Sequence, residues 1–148
     1  MRRFVAWALA VATVAGLLVG GTAARRAHAA QTRDSCAATG IPGEFDVFVS
    51  GPYTATNGGT QIQGRAAAGG DVTIQGVNVG TALTPDAARL DLIVGGDLSV
   101  LQGGAGVHNG SVSYGGTLTT AGAIGTLGIR HAAPPFDFDD QFATLREQ

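Results

Sequence analysis

The segment RAAAGGDVTIQG, residues 65–76, returns in altered form as LIVGGDLSVLQG at 92–103 and as VSYGGTLTTAG at 112–122. In each copy two glycines precede a short run in which apolar and polar residues alternate, and a further glycine closes the run. Alternation with a period of two is typical of a β-strand with one buried face. The copies therefore predict three equivalent strands, each preceded by a Gly-Gly corner at which we expect positive φ angles.

Equivalent positions in these strands carry apolar residues, which predicts that the strands stack. One predicted inward column holds Val72, Leu98 and Leu118, and the other holds Ile74, Val100 and Thr120. A single coil cannot bury its own apolar face, whereas stacked coils share a continuous core. We therefore predict an all-β fold, a parallel β-solenoid of a few glycine-cornered coils, in preference to an antiparallel sandwich. The insertion TALTPDAARLD at 81–91 is expected to form an extra loop at a corner.

Further strands are predicted on both sides of the repeats, again from alternation. The inward residues expected in two of them are Phe45, Val47 and Val49, and then Leu90, Leu92 and Val94. Glycine and proline separate these runs, as turns between short strands require.

The C-terminal segment FDFDDQFATLREQ, residues 136–148, has a different pattern. Phe138, Phe142 and Leu145 recur at helical spacing. Acidic residues at the start of this segment suit the positive N-terminus of a helix. We expect a short amphipathic helix that caps an open end of the solenoid and protects its unpaired strand edges.

The first 29 residues have the layout of a secretory signal peptide. Two arginines precede an apolar run, and the small-residue sequence AHA at 27–29 is a suitable cleavage site. A retained membrane anchor is the alternative, because the run approaches the length of a membrane span. We expect residues 1–29 to be removed on export, residues 30–42 to form a linker and residues 43–148 to form the domain. The chain is then secreted or displayed at the cell surface, without membrane association after cleavage.

The composition of the exported part excludes several classes of function. It holds five arginines, no lysine and eleven acidic residues, a formal charge of −6. A nucleic-acid groove or a polybasic membrane patch is not expected from this balance. The absence of lysine excludes Schiff-base catalysis. Because Cys36 is the single cysteine, no internal disulfide framework is expected, and its thiol is either free or part of an intermolecular disulfide.

Three stretches together resemble a known family: FDVFVSGPYTATNGGTQIQGRAAAGGDVTI, LIVGGDLSV and PPFDFDDQFATLRE. They resemble the choice-of-anchor A domain of bacterial surface and secreted proteins, and GRAAAGGDV at 64–72 is the most specific part. The resemblance covers about residues 42–148 and implies an adhesive role; some members of that family carry a collagen-binding label. The family's domain usually continues past this helix, so the resemblance implies its N-terminal portion only. It supplies no catalytic residues.

Side chains that face outward from the stacked strands are the candidates for ligand binding. On the repeated strands these candidates are Asp71, Thr73, Asp97, Ser99, Thr117 and Thr119. On successive coils they would form a polar surface of low charge, which suits multivalent contact with carbohydrate or protein. Arg65 is a further candidate, either as a ligand-contacting guanidinium or as a structural arginine paired with Asp71 or Asp46.

Neither a catalytic site nor a metal site is expected, and no cofactor is implied. Asp137, Asp139 and Asp140 lack the glycine turn and distal glutamate of a calcium loop, and they suit a helix N-terminus instead. His108 and His131 have no neighbouring cysteine or acidic cluster with which to bind zinc.

These features favour a non-enzymatic adhesin or structural module that binds extracellular matrix protein or polysaccharide. One alternative is a polysaccharide-active β-helix enzyme, which would need paired carboxylates such as Asp71 and Asp97 beside a cleft arginine. The other is an ice-binding solenoid, for which TLTT at 117–120 supplies one element of a threonine array. Self-association through an open C-terminal edge is a further possibility if the helix does not cover that edge.

Overall fold

The computed structural model describes residues 40–147, which form eleven short strands, a 3-10 helix and one α-helix. The signal peptide expected at 1–29, Cys36 and most of the linker expected at 30–42 lie outside the described residues. Gly40 precedes the 3-10 helix Ile41–Glu44, which includes the last two residues of the expected linker. The strands are β1 (Val47–Val49), β2 (Tyr53–Ala55), β3 (Thr60–Ile62), β4 (Ala66–Ala68), β5 (Val72–Ile74), β6 (Val77–Val79), β7 (Leu90–Val94), β8 (Leu98–Val100), β9 (Ala105–Tyr114), β10 (Leu118–Thr120) and β11 (Ile124–His131).

All strand pairs are parallel, and the strands wind into about four coils with three faces. Face 1 contains β1, β4, β7 and the second halves of β9 and β11. Face 2 contains β2, β5, β8 and β10. Face 3 contains β3, β6 and the first halves of β9 and β11. Coil 1 is β1–β3, coil 2 is β4–β6, coil 3 runs from β7 into β9, coil 4 runs from β9 into β11, and the end of β11 begins coil 5. The predicted parallel β-solenoid is confirmed.

The strand register confirms the two predicted inward columns on face 2. Val72 lies opposite Leu98, which lies opposite Leu118. Ile74, Val100 and Thr120 are aligned in the same way. Val72 and Leu98 are 1% and 0% exposed, and every residue of the two columns except Thr120 contributes to the core that fills the solenoid. Thr120, on the last coil, is exposed. The continuous core forms because each coil covers the apolar residues of the next.

Glycine is needed at the Gly-Gly corners for a different reason from the one expected. None of the glycines in the three pairs has a positive φ, so the prediction of left-handed corners is wrong. The first glycine of each pair instead lies against the backbone of the preceding coil. A Cβ atom at Gly95 would overlap the carbonyl oxygen of Gly69, and one at Gly115 would overlap the carbonyl oxygen of Gly95. Glycine is needed because successive coils approach too closely at this corner to admit a side chain.

A shift in register near the start of β7 alters the face assigned to Leu90. The pairing between β7 and β9 is irregular between Leu90 and Leu92, so the strict alternation expected for Leu90, Leu92 and Val94 is interrupted. Leu92 and Val94 lie in the interior, whereas Leu90 packs on the outside. The irregularity buries Asp91, whose carboxylate binds the guanidinium of Arg89 at 2.6 Å.

Arg89 holds the 81–89 insertion against the corner that follows β6. Its Nη2 donates to the carbonyl oxygens of Thr84, at 2.9 Å, and Asn109, at 3.2 Å. The hydrogen bond to Asp91 is the main reason that the pKa of Arg89 is raised, against the opposing effect of desolvation. The buried carboxylate therefore has a fixed positive partner, as a buried charge requires.

The structure confirms the C-terminal helix, α1 (Phe138–Arg146), but places it elsewhere than expected. It packs on the outer side of face 1 and not on an end of the solenoid. The rings of Phe138 and Phe142 lie 5.2 Å and 5.3 Å from that of Phe48 on β1. Phe138 also packs with Ala67 and Ile93, which follow Phe48 in one outward row across β1, β4 and β7. This apolar row on face 1 explains the position of the helix.

Five phenylalanines form a single group between face 1 and α1, called here the aromatic cluster. They are Phe45, Phe48, Phe136, Phe138 and Phe142. The prediction that Phe45 shares the inward face of Val47 and Val49 is therefore wrong. Phe45 precedes β1 and ends the 3-10 helix, so it does not follow the alternation of the strand.

The last coil lacks a covering element among residues 40–147. Leu127 and Ile129 are 47% and 45% exposed, and Leu118 and Ile124 are only partly buried. The unpaired sides of β10 and β11 therefore face outward from this end.

Candidate binding surface

The outer side of face 2 carries one row of hydroxyl side chains. Each three-residue strand turns its first and last residues inward and its middle residue outward. The middle residues are Thr54, Thr73, Ser99 and Thr119, which lie directly opposite one another across the four strands. This group is called the hydroxyl row. Its members repeat at the strand separation of about 4.8 Å, and Thr54 and Thr119 are exposed while Thr73 and Ser99 are partly so.

Three of these residues are among the predicted candidates, and Thr54 was missed. Its strand lacks the preceding Gly-Gly pair, having Gly51 and Pro52 instead. The alternation of Tyr53, Thr54 and Ala55 was the available signal, because Tyr53 and Ala55 pack against the core as Val72 and Ile74 do.

The predicted acidic candidates flank the hydroxyl row and bind the backbone of the next coil. Asp71 Oδ1 accepts a hydrogen bond from the amide of Asp97 at 2.8 Å, and Asp97 Oδ1 accepts one from the amide of Thr117 at 2.6 Å. Both aspartates remain exposed. One oxygen of each carboxylate thus supports the corner, and the side chain stays accessible at the edge of face 2.

Arg65 lies away from this surface. Its Nη1 lies 2.9 Å from Glu44 Oε2, its Nε donates to the carbonyl oxygen of Leu90 at 2.9 Å, and its guanidinium carbon lies 4.3 Å from the centre of the Phe45 ring. The structural interpretation is therefore supported, but both predicted partners are wrong. Asp46 instead accepts a hydrogen bond from the amide of Gly64, and Asp71 binds Asp97. The arginine connects the 3-10 helix to the start of β7.

The arrangement of charged groups does not assemble the enzyme site considered above. Asp71 and Asp97 each bind a backbone amide at a corner, and Arg65 binds Glu44. Over residues 40–147, no group of three or more histidine, cysteine or acidic side chains is placed to hold a metal ion.

The remaining candidates have local roles. Asp137 Oδ1 accepts hydrogen bonds from the amides of Asp139 and Asp140, at 2.8 Å and 3.2 Å, so the helix-capping interpretation is confirmed. His131 stacks on Tyr114, with ring centres 5.1 Å apart, and its Nε2 lies 3.1 Å from the carbonyl oxygen of Gly115. His108 lies on face 3.

Face 3 contains a groove that the sequence did not indicate. It has a volume of about 550 Å³ and spans coils 2 to 4. Its lining consists of Gly76, Val77, Asn78, Gly103, Gly104, Ala105, Gly106, His108, Ala123 and Gly125. This feature is called the glycine groove. The repeat relates Gly76 and Gly103, the glycines that close its first two copies. The other residues come together because β6, β9 and β11 are neighbours on face 3.

The helix among residues 40–147 is not long and apolar enough to cross a membrane.

Comparison with known proteins identifies one family, described as "Putative Ice-binding-like adhesive domain", whose sequence profile matches residues 38–148. No match was found among curated proteins or among solved structures. The matched range contains the whole solenoid and α1. A match to this adhesive family indicates a non-enzymatic module with a role at the cell surface or outside the cell. The chain belongs to the family of ice-binding-like adhesive domains.

Proposed function

We propose that this protein is an exported adhesive module that binds polysaccharide or extracellular protein through the outer side of face 2. The observation that carries the proposal is the hydroxyl row, in which Thr54, Thr73, Ser99 and Thr119 lie in register on four successive strands. The family's adhesive description supports the same role.

Face 2 differs from face 1 in what lies outside it. The outward row of face 1 is apolar on β1, β4 and β7 and packs there against α1, whereas the middle residues of face 2 are exposed or partly exposed. Each hydroxyl group both donates and accepts hydrogen bonds. A single such bond contributes little to affinity, but a repeating ligand can form several at once, so the total affinity rises through multivalency.

The charge beside the hydroxyl row favours neutral or basic partners. Asp71 and Asp97 are exposed along one edge of face 2, and the exported part of the chain has a formal charge of −6. Polyanionic polymers would be repelled, because like charges at a contact surface oppose association. Neutral polysaccharides and matrix proteins such as collagen are therefore the first ligands to test.

Binding of the labelled full chain to immobilised neutral polysaccharides and matrix proteins tests the proposal. In the variant Thr54→Val/Thr73→Val/Thr119→Val, three hydroxyl groups are removed while the side-chain shape is nearly kept. We expect this variant to lose binding by about tenfold or more, since each lost hydrogen bond costs about 0.5–1.5 kcal/mol. Thr81→Val is the matched control, because Thr81 is an exposed threonine in the 81–89 loop. No retention of the wild-type chain on any surface, or equal retention of the triple variant, would refute the role of face 2.

Ice is a second candidate ligand, and it is favoured by the family description together with the flat, regular row of hydroxyl groups. Ser99 interrupts the threonines, and each strand contributes only one residue to the hydroxyl row. Thermal hysteresis of the full chain, measured beside the triple valine variant, tests this candidate. A freezing point that equals the melting point in the wild-type solution eliminates ice binding.

Export is part of the proposal and has its own test. When the gene product is expressed in a bacterial host, we expect the mature protein to begin at Ala30 and to appear outside the cytoplasm. Mass spectrometry of the intact secreted chain measures the cleavage site. An uncleaved chain in the membrane fraction would support the retained-anchor alternative instead.

A further inference from the structure

The glycine groove has a floor formed by strand positions that would ordinarily carry outward side chains. In the outward row of face 3, Gln61 lies opposite Asn78, Asn78 opposite Gly106, and Gly106 opposite Gly125. Neither Gly106 nor Gly125 has a positive φ, so the backbone conformation there does not require glycine. Glycine within a strand weakens the strand, and it often marks a place where a ligand or another backbone approaches closely.

Side chains above the floor leave little room for a Cβ atom at these positions. A Cβ atom at Gly106 would overlap both Asn78 Oδ1 and His108 Nε2. One at Gly125 would lie 3.0 Å from His108 Cε1 and 3.1 Å from His108 Nδ1. The imidazole ring therefore lies over both glycines, and the Asn78 amide approaches it from coil 2.

These two polar side chains are free to bind a ligand. Among residues 40–147, neither the Asn78 amide nor the His108 ring forms a hydrogen bond with a protein group, whereas the neighbouring Gln75 amide donates to the carbonyl oxygen of Gln102 at 2.7 Å. His108 is exposed and Asn78 partly so. Both can therefore exchange water for the hydroxyl groups of a ligand.

The chemistry of the lining defines the ligand class. No aspartate, glutamate, arginine or lysine lines the groove, which favours an uncharged ligand. Its volume of about 550 Å³ lies within the usual range for ligand sites, about 300–1,000 Å³. The imidazole ring and the small residues around it suit the CH groups of a saturated ring, while an amide and an imidazole donate to and accept from hydroxyl groups.

We propose that the glycine groove binds a neutral sugar ring that packs against the His108 imidazole and receives hydrogen bonds from Asn78 and His108. This site is on a different face from the hydroxyl row. Because the groove spans three coils, a glycan chain can continue along the solenoid axis on either side of the bound ring.

The proposal is tested by titration of the full chain with cellohexaose, laminarihexaose, maltohexaose and fully N-acetylated chitohexaose. Binding is followed by calorimetry and by the NMR signals of the His108 ring. At least one of these neutral hexasaccharides is expected to bind and to shift the His108 signals. Asn78→Ala and His108→Ala are each expected to weaken binding by about tenfold, the effect of about one lost hydrogen bond at the upper end of the usual range.

Gln61→Ala is the matched control, because Gln61 is an exposed member of the same outward row that lies outside the groove. It is expected to bind the sugars like the wild type, and thermal melting followed by circular dichroism verifies that every variant is folded. Gly125→Val, which places a side chain under the His108 ring, is expected to reduce binding as well.

Two results would overturn the groove proposal. One is the absence of binding to all four hexasaccharides. The other is binding that persists in Asn78→Ala and His108→Ala. A loss of sugar binding only in the triple valine variant of face 2 would also reject the groove while it supports the proposed function. Conversely, if the chain is retained on matrix protein through face 2 but binds no sugar, the groove proposal fails and the proposed function stands.

Discussion

The carboxylate of Asp71 accepts a hydrogen bond at 2.8 Å from the backbone amide of Asp97, the residue at the equivalent position one coil later. Asp97 repeats the contact with the amide of Thr117 at 2.6 Å. The second glycine of each pair provides the necessary space, since a Cβ atom at Gly96 would overlap Asp71 Oδ1 and one at Gly116 would overlap Asp97 Oδ1. The Gly-Gly-Asp sequence is thus one unit that joins successive coils.

Substitution of the first glycine of a pair is expected to destabilise the solenoid. In Gly95→Ala the new methyl group would overlap the carbonyl oxygen of Gly69, a backbone atom that cannot rotate away. We expect the free energy of unfolding, measured by urea denaturation, to fall by about 1–3 kcal/mol.

Gly51→Ala is the matched control, because a Cβ atom there has no neighbour within 4 Å and the residue has no positive φ. Its free energy of unfolding is expected to stay the same or to rise by up to about 1 kcal/mol, through reduced entropy of the unfolded chain. Equal losses in both variants would contradict the close-approach explanation.

The carboxylate contact between coils predicts a graded response at Asp97. Asp97→Ala removes the acceptor for the Thr117 amide and should lower the free energy of unfolding by about 1 kcal/mol. Asp97→Asn retains an acceptor oxygen and should lose less. Denaturation of the two variants in parallel measures the difference, and equal losses would mean that the charge, which both variants remove, is important and the hydrogen bond is not.

The buried ion pair predicts a large effect at Arg89. Asp91 is 0% exposed, so Arg89→Met would leave its carboxylate buried without the guanidinium. We expect the free energy of unfolding to fall by about 3 kcal/mol. Arg130→Met is the control, because Arg130 is exposed and its Nη2 donates only to the carbonyl oxygen of Ala87 among the described residues. A loss in the control as large as that in Arg89→Met would argue against the buried pair as the cause.

The position of α1 predicts which of its side chains stabilise the fold. Phe138 is 8% exposed and stacks on Phe48, so Phe138→Ala should cost about 3 kcal/mol or more. Leu145 lies outside the aromatic cluster, and Leu145→Ala should cost clearly less. If α1 covered the end of the solenoid, as the sequence suggested, the two substitutions would have comparable effects on thermal unfolding.

The uncovered last coil leads us to propose that copies of the chain associate through this end. Unpaired strand edges and exposed apolar side chains favour association with another chain. Sedimentation at increasing concentration should show oligomers in the wild type, and Ile129→Lys should reduce them because Ile129 is 45% exposed at this edge. Thr81→Lys, which adds the same charge elsewhere, should not. A monomeric wild type at all concentrations would refute this prediction.

The repeated segments were sufficient to predict the solenoid and its core on face 2. Val72, Leu98 and Leu118 have the same position relative to a Gly-Gly pair in the sequence. The structure pairs these same residues across neighbouring coils. Three of the four residues in the hydroxyl row could be identified for the same reason. Thr54 has no such pair before it, so only the alternation in its own strand indicates its direction.

Other features depend on contacts between residues that no sequence pattern relates. The apolar spacing of α1 predicts a buried helix face, but it does not say whether that face meets the end of the solenoid or Phe48, Ala67 and Ile93 on its side. The sequence offers several acidic residues as partners for Arg65. The observed partner is Glu44, because the 3-10 helix places its carboxylate beside the guanidinium. Gly106 and Gly125 become neighbours only because β9 and β11 pair in parallel on face 3.

The return of the chain along face 1 has a mechanical consequence. Phe136 lies 5.9 Å from Phe45, and Phe142 lies 5.3 Å from Phe48, so the segment that follows the last coil is fastened beside the first. Tension applied between the two ends of the described region is therefore borne by the aromatic cluster before it reaches the coils. Under such a load α1 would peel from face 1 while the strands that carry the hydroxyl row stay paired. An adhesive built in this way can yield under force without losing the contact surface proposed on face 2.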